Sequence, residues 1–118
     1  MYQELIEKAW LNRELLKEES VRKAILEIID LLDKGKIRVA EKINNEWQVN
    51  QWVKKAIIMY FPICETKDMQ AEDLKFWDKI PTKQNYNELQ IRCVPPAVAR
   101  YGSFLAKGCI MMPSFVNI

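Results

Sequence analysis

The chain has 118 residues, 49% of them hydrophobic and 29% charged, which is typical of one ordinary folded domain and excludes an intrinsically disordered protein. Its net charge of +2 is small and its basic residues are interspersed with acidic ones, so nothing indicates a nucleic-acid partner. No stretch approaches the roughly twenty apolar residues of a membrane span and the N-terminus lacks a signal-peptide layout, so we expect a cytoplasmic protein without membrane contact.

Two amphipathic helices are predicted in the first third of the chain. The first covers residues 2–17, and the second begins after Ser20, whose hydroxyl suits a helix N-cap. Gly35, which lies between two lysines, is typical of a helix C-terminus. The apolar residues recur at helical spacing: Leu5, Ile6, Ala9, Trp10, Leu15 and Leu16 in the first helix, and Val21, Ala24, Ile25, Ile28, Ile29 and Leu32 in the second.

A β-hairpin over residues 37–49 and a third helix are predicted next. Apolar and polar residues alternate from Ile37 to Ile43, and Asn44-Asn45 suits the positive φ angles of a tight turn. Asn50 is the predicted N-cap of the third helix, which we expect Pro62 to end.

The following segment is predicted to be mostly irregular. Residues 65–73 are polar and acid-rich, which indicates a surface loop, and residues 76–83 indicate a loop anchored by two aromatic rings, with Lys79 and Lys83 exposed. A short strand is predicted over residues 89–94. We assign all four tryptophans to core packing: Trp10, Trp47, Trp52 and Trp77.

The end of the chain has a six-residue spacing that neither a helix nor a flat strand explains. Four large apolar residues fall six apart: Val98, Phe104, Ile110 and Val116. Small residues lie two positions before the last three: Gly102, Gly108 and Ser114. A parallel β-helix explains both features, because each short strand points one side chain inward and each corner favours a small residue. Of Met111 and Met112, one is then expected to point inward and one outward. Coincidental spacing is the alternative.

The predicted fold class is therefore α+β. Residues 1–94 are expected to form a small helical N-terminal domain with three helices and the β-hairpin at 37–49. Residues 95–118 comprise a stiff joint at Pro95-Pro96, which holds the residues before it extended, and the first turn of a parallel β-helix.

No motif in the sequence indicates catalysis, and we expect no catalytic residue in this chain. It has no histidine, and its three cysteines lack C-x-x-C spacing, so we expect reduced thiols and no metal site. Arg92 is the leading binding candidate, because a guanidinium held next to the rigid Pro95-Pro96 joint suits bidentate capture of a carboxylate. Arg100 is a weaker candidate. A surface or interdomain salt bridge is the alternative for both arginines.

Four stretches of the sequence carry a family resemblance: LLDKGKIRVAEKI, EWQVNQWVKKAI, FWDKIPTK and IRCVPPAVARYGSFLAKGCIMMPSFVNI. Together with the two leading helices they cover the whole chain in order. The last stretch is the most specific, since R-x-V-P-P followed by a six-residue coil is an uncommon combination. On these residues the chain resembles the bacterial 2,3,4,5-tetrahydropyridine-2,6-dicarboxylate N-succinyltransferases of the diaminopimelate and lysine pathway.

The resemblance implies a homotrimer built on a left-handed parallel β-helix behind a small helical N-terminal domain. Members of this family transfer a succinyl group from the cosubstrate succinyl-CoA to the amino group of ring-opened tetrahydrodipicolinate, with no tightly bound cofactor. That acceptor carries two carboxylates, and the family's substrate-binding arginine in the R-x-V-P-P stretch matches Arg92.

The chain departs from the family in length. Family members are far longer, and their acidic catalytic residues and CoA-binding coils lie in a later part that has no counterpart here. We therefore expect the N-terminal part of the enzyme, inactive by itself. The alternative is a non-catalytic folding and assembly module that associates through the apolar coil residues Phe104, Ile110 and Val116.

Overall fold

A computed structural model describes residues 1–118. Its longer elements are the helices α1 (Tyr2–Leu11), α2 (Glu19–Asp33) and α3 (Gln51–Ile63), and the strands β1 (Ala40–Ile43), β2 (Glu46–Val49), β3 (Lys67–Ala71) and β4 (Leu74–Asp78). A short helix and four two-residue strands follow: α4 (Tyr86–Leu89), β5 (Arg92–Cys93), β6 (Val98–Ala99), β7 (Ile110–Met111) and β8 (Phe115–Val116). None of the helices has the length and hydrophobicity needed to cross a membrane.

The three long helices share one hydrophobic core. All six apolar residues predicted for the inner face of α2 are buried, which confirms the helical spacing read from the sequence. Ile6 of α1 and Val53 and Met59 of α3 are fully buried against them. Burying a side chain of this size contributes about 1.5–3 kcal/mol, so this core accounts for much of the folding free energy.

The predicted boundaries of the first two helices are wrong. α1 ends at Leu11, and a 3₁₀ turn over Arg13–Lys17 replaces the rest of the predicted helix. Asn12 interrupts the helix because its side chain accepts a hydrogen bond, at 3.2 Å, from the backbone N–H of Glu14 and so caps the new turn. α2 starts at Glu19, which places Ser20 inside its first turn instead of at the N-cap.

The first hairpin is confirmed, with β1 starting at Ala40 and not at Ile37. Asn44 and Asn45 have φ angles of 50° and 66°, as its tight turn requires. Asn50 precedes α3 as predicted, but its side chain bonds the Arg38 carbonyl oxygen instead of capping the helix. Pro62 lies within the last turn of α3, which ends one residue later.

The structure contains a second hairpin where a loop was predicted. Residues 67–78 form β3 and β4, which pair antiparallel with Met69 opposite Phe76. Both strands are largely exposed. Their sequences therefore lack the regular alternation of apolar and polar residues that marks a half-buried strand. The helical part thus has two hairpins, and the short α4 adds a fourth helix to the three predicted.

Two of the four tryptophans do not pack in the core. Trp47 and Trp77 are 71% and 74% exposed, because each lies on a two-stranded hairpin with no further layer covering it. Trp10 and Trp52 are half-buried and pack against the core, as predicted.

The end of the chain winds into parallel strand pairs. β5 pairs with β7, which places Arg92 opposite Ile110, eighteen residues on. β6 pairs with β8, which places Val98 opposite Phe115, seventeen residues on. Of the predicted strand 89–94, only residues 92–93 form a strand, because residue 89 is the last residue of α4. The Pro95–Pro96 peptide bond is cis.

The six-residue spacing is present in this coil, but its predicted phase is wrong at Phe104 and Ile110. Ala99 and Met111 are buried and Leu105, midway between them, is half-buried, whereas Phe104 and Ile110 are exposed. Up to Met111 the inward positions therefore lie one residue after those predicted, whereas Val116 is half-buried and Asn117 exposed, as the predicted phase requires. Gly102 and Gly108 have φ angles of 102° and 88°, so they form the expected corners. Met111 is buried and Met112 exposed, as predicted.

Phe104 packs outward from the coil onto the helical part. A Cβ atom at Gly35 would lie only 2.7 Å from the Phe104 ring, and the Arg38 guanidinium carbon lies 4.8 Å from the ring centroid. The Phe104 ring is therefore partly covered by the helical part, while Ile110 stays exposed.

Candidate functional site

Arg92 lies on an exposed strand with a fixed backbone. Its N–H donates to the Cys109 carbonyl oxygen at 3.1 Å, and the N–H of Val94 donates to the Met111 carbonyl oxygen at 2.9 Å. Ile91 is buried, and side chains alternate along a strand, so the Arg92 side chain is directed to solvent. The Arg92 guanidinium forms no ion pair or side-chain hydrogen bond within the chain, which leaves its five donors free for an anion.

The Arg100 side chain is held by contacts within the protein. Its guanidinium is 3.2 Å from the Asp78 carboxylate and 3.2 Å from the Asn117 side-chain oxygen. The rings of Phe61 and Phe115 lie 5.6 Å from its guanidinium carbon, within cation–π range. The salt-bridge alternative is thus the one the structure favours for Arg100.

The Asp78 carboxylate is also hydrogen-bonded to the backbone N–H of Lys79. That hydrogen bond, together with the charge of Arg100, holds the pKa of Asp78 below its ordinary value of 3.8. Asp78 therefore stays ionised as a partner for Arg100 at neutral pH. This cluster joins the end of β4 to the coil.

Lys83 was predicted to be exposed, and that prediction is wrong. The Lys83 ammonium is buried and lies 2.6 Å from the Asp33 carboxylate and 2.7 Å from the Ser103 carbonyl oxygen. Lys79 is half-buried, with its ammonium 3.4 Å from the Phe61 carbonyl oxygen. Lys83 in particular has no free donor to offer an external anion.

The first corner of the coil is bound to the C-terminal end of α2. The Tyr101 hydroxyl donates to the Asp30 carboxylate at 3.0 Å, and the Gly102 N–H donates to the Asp33 carboxylate at 2.9 Å. Burial, with Asp30 as hydrogen-bond acceptor, raises the pKa of Tyr101 to about 12. Hydrogen bonds from Lys34 and then Tyr101 lower the pKa of Asp30. This corner is fixed before any ligand binds.

The two predicted arginines lie on different strand pairs. Arg92 belongs to the β5–β7 pair, and Arg100 follows the strand that pairs with β8 and bridges to Thr82 on its other side. Arg92 can therefore bind one carboxylate by itself, while Arg100 stabilises the strand arrangement. No group of three or more His, Cys, Asp or Glu side chains is arranged to hold a metal ion.

Residues 1–63 match the family model described as tetrahydrodipicolinate N-succinyltransferase N-terminal. Proteins named 2,3,4,5-tetrahydropyridine-2,6-dicarboxylate N-succinyltransferase are similar over nearly the whole chain. The protein of Tolumonas auensis is 43% identical over an alignment that covers 98% of this chain and 46% of that protein. The protein of Aeromonas salmonicida is 45% identical over 96% of this chain and 45% of its own length.

A protein of the same name from a Psychrobacter species is 48% identical over 85% of this chain and 39% of its own length. The chain thus spans less than half the length of each of these curated relatives. Because the family model matches more than half of the chain and the relatives agree with it, the chain belongs to the tetrahydrodipicolinate N-succinyltransferase family.

Proposed function

We propose that the chain is the N-terminal part of a cytoplasmic enzyme that moves a succinyl group from succinyl-CoA to the amino group of ring-opened tetrahydrodipicolinate, in lysine and diaminopimelate biosynthesis. The free guanidinium of Arg92 on its hydrogen-bonded strand is the observation that carries this function. The names of the relatives support the same reaction.

In the proposed reaction the amine nitrogen attacks the thioester carbonyl carbon. A nitrogen–carbon bond forms, the carbon–sulfur bond breaks, CoA leaves as its thiol and the amine gives up a proton. Arg92 holds one carboxylate of the acceptor by two parallel N–H···O bonds and so orients the amine for attack. Acid–base groups and the CoA-binding surface are assigned to the part of the relatives that lies beyond the matched region.

The proposed architecture divides the chain into residues 1–94 and residues 95–118, the second being the start of a left-handed parallel β-helix in a homotrimer. The residues paired between parallel strands are seventeen and eighteen positions apart in the sequence. This separation supports the architecture, since it corresponds to three six-residue steps per turn. The positive φ angles of Gly102 and Gly108 at two successive corners support it as well.

A chimera tests the role of Arg92. Residues 1–118 replace the matching part of the Tolumonas auensis relative, and CoA release is followed with a thiol reagent. A charge-assisted hydrogen bond contributes about 1.5–3 kcal/mol, so we expect Arg92→Ala to raise the KM for the acceptor roughly ten- to several hundred-fold. The KM for succinyl-CoA is expected to stay unchanged, and Arg92→Lys to restore only part of the loss, because lysine cannot bind a carboxylate bidentately.

Arg100→Ala is the matched control, because Arg100 is partnered within the protein. It is expected to leave the acceptor KM within about threefold of the parent chimera. An unchanged acceptor KM and unchanged turnover in the Arg92→Ala chimera would refute substrate binding by Arg92. The 118-residue chain alone is expected to release no CoA, and measurable turnover from it would contradict the assignment of the catalytic groups elsewhere.

A further inference from the structure

The side chain of Ile110 lies beside that of Arg92 on the outer face of the β5–β7 pair. The register places the Cα atoms of the two residues opposite each other, and neighbouring strands lie about 4.8 Å apart. Cys93 and Met111 form the next pair along the strands, and Met111 is buried. Because successive side chains alternate between the two faces of a sheet, Arg92 and Ile110 both project from the face opposite Met111.

The surface beside the Arg92 guanidinium is apolar. Ile110 is 59% exposed although its side chain is large and apolar, and Met112, two residues further on, is 63% exposed. A single exposed apolar residue is common on protein surfaces, but here the exposed residues adjoin a guanidinium that has no partner in the chain. A free guanidinium next to an apolar surface matches a carboxylate that is carried on an aliphatic chain.

The outward direction of Ile110 is set by its strand and does not depend on how far the coil extends. One edge of β7 is already paired, because the N–H groups of Arg92 and Val94 donate to the Cys109 and Met111 carbonyl oxygens at 3.1 and 2.9 Å. A further strand can pair only with the other edge of β7, in the plane of the sheet. Such a strand would lie beside Ile110 and not over it, so the side chain keeps its outward direction with or without that strand.

We propose that Ile110 is a specificity-determining residue of the acceptor site, where its side chain packs against the aliphatic chain of the dicarboxylate that Arg92 binds. This inference rests on the function proposed above. The proposed acceptor has three methylene groups between the two carbons that carry its carboxylates. A carboxylate held by Arg92 leaves these methylene groups next to the neighbouring side chain, which is Ile110. Arg92 thus selects for the carboxylate, and Ile110 selects for the length of the chain attached to it.

Calorimetric titration with two dicarboxylates tests this contact in the chimera of residues 1–118 with the Tolumonas auensis relative. Heptanedioate has as many carbons as the proposed acceptor but no amine, so it binds without reacting. Malonate carries the same charge on a chain with a single methylene group. Burial of each methylene group favours binding by up to about fourfold, so we expect the parent chimera to bind heptanedioate at least about tenfold more tightly than malonate.

Two substitutions at Ile110 and one matched control locate the contact. Ile110→Ala is expected to reduce the preference for heptanedioate to less than about threefold, by weakening heptanedioate binding and leaving malonate binding unchanged. Ile110→Val keeps a branched side chain and is expected to retain most of the preference. Leu74→Ala is the control, because Leu74 is a similarly exposed apolar strand residue in a different sheet, and it should change neither dissociation constant.

The kinetic constants of the same chimeras give a second measurement. Ile110→Ala should raise the KM for the acceptor about tenfold, because the variant loses contact with the methylene groups. The KM for succinyl-CoA should stay unchanged, because Ile110 is assigned to the acceptor alone. A rise in both KM values would mean a general disturbance of the site and would contradict a role in acceptor specificity.

The titrations separate a failure of this inference from a failure of the proposed function. If Arg92→Ala weakens the binding of both dicarboxylates while Ile110→Ala leaves the preference unchanged, the role of Ile110 alone is overturned. Equal binding of the two dicarboxylates by the parent chimera, as when a second copy of the chain covers Ile110, would overturn that role as well. If the preference depends on Ile110 but the parent chimera releases no CoA, the contact stands and the succinyl transfer is contradicted.

Discussion

The Lys83 ammonium lies 2.6 Å from the Asp33 carboxylate and joins the end of α2 to the coil. Lys83 is only 4% exposed and Asp33 19%, so both charges are largely removed from water. Lys83 also donates to the Ser103 carbonyl oxygen, and Asp33 accepts from the Gly102 N–H, so the charges are well satisfied by hydrogen bonds. Such a pair is costly to break on one side only, because the remaining charge stays buried without its partner.

We therefore expect Lys83→Met to lower the free energy of unfolding by about 3 kcal/mol, measured by urea denaturation. Lys17→Met is the control, because the ion pair of Lys17 with Glu14 is exposed and should contribute less than about 1 kcal/mol. Equal losses in the two variants would show that burial of the Lys83–Asp33 pair has no energetic consequence.

The close contact of Gly35 with Phe104 gives a second prediction. Gly35 has a φ angle of 67°, and an added Cβ atom would come within 2.7 Å of the Phe104 ring. Gly35→Ala therefore combines backbone strain with a steric clash, and we expect it to destabilise the fold by about 2–3 kcal/mol. Gly108→Ala is the control: its φ angle is 88° but nothing lies within 4 Å of the added atom, so strain alone should cost about 1 kcal/mol.

A double-mutant cycle separates the clash from the strain. Phe104→Ala removes the ring that an alanine at position 35 would meet, so Gly35→Ala should cost about 1 kcal/mol less in that background. Additive losses at the two positions would mean that Phe104 does not pack on Gly35 in solution.

The helical core could be predicted from the sequence because its signal is local. The apolar residues of α2 repeat at helical spacing and all of them are buried. The second hairpin could not be predicted, because strands without a buried face need no alternation of apolar and polar residues in their sequence. The coil phase was wrong for a related reason: Phe104 is large and apolar, but it packs outward on Gly35 instead of inward.

In the candidate site, too, contacts between sequence neighbours could be predicted and contacts between distant residues could not. Arg92 could be singled out because the strand and the prolines that fix it are its sequence neighbours. The partners of Arg100 and Lys83 could not be identified, because Asp78 is 22 residues from Arg100 and Asp33 is 50 residues from Lys83. Only the folded chain shows that one arginine is free while the other is bound.

That difference between the two arginines predicts unequal losses of stability when each is replaced. Arg100→Ala removes an ion pair and two cation–π contacts at a partly buried position, so we expect a loss of about 1–2 kcal/mol in urea denaturation of the 118-residue chain. Arg92→Ala removes an exposed side chain without a partner and should stay within about 0.5 kcal/mol of the parent. A large loss in the Arg92→Ala variant would mean that Arg92 is structural, and would remove the support for its binding role.

Burial of Tyr101 and its hydrogen bond to Asp30 make stability depend on pH at the alkaline extreme, and the hydrogen bonds from Lys34 and Tyr101 to Asp30 do so at the acid extreme. The pKa of Tyr101 is raised from 10.0 to about 12 on folding, so the folded state holds its proton where the unfolded state has lost it. The stability that Tyr101 contributes is fully present below pH 10 and is lost as the pH rises towards 12. The pKa of Asp30 is lowered from 3.8, so its contribution is present at neutral pH and is lost as pH falls through the lowered value.

Urea midpoints of the parent chain, Tyr101→Phe and Asp30→Asn, measured from pH 2 to pH 12, check both signs. The stability advantage of the parent over Tyr101→Phe should shrink between pH 10 and pH 12, because phenylalanine has no proton to lose. The advantage over Asp30→Asn should shrink below pH 3.8, where the carboxylate takes up its proton. A Tyr101→Phe difference that stays constant up to pH 12 would mean that the Tyr101 hydroxyl is neither buried nor bonded to Asp30 in solution.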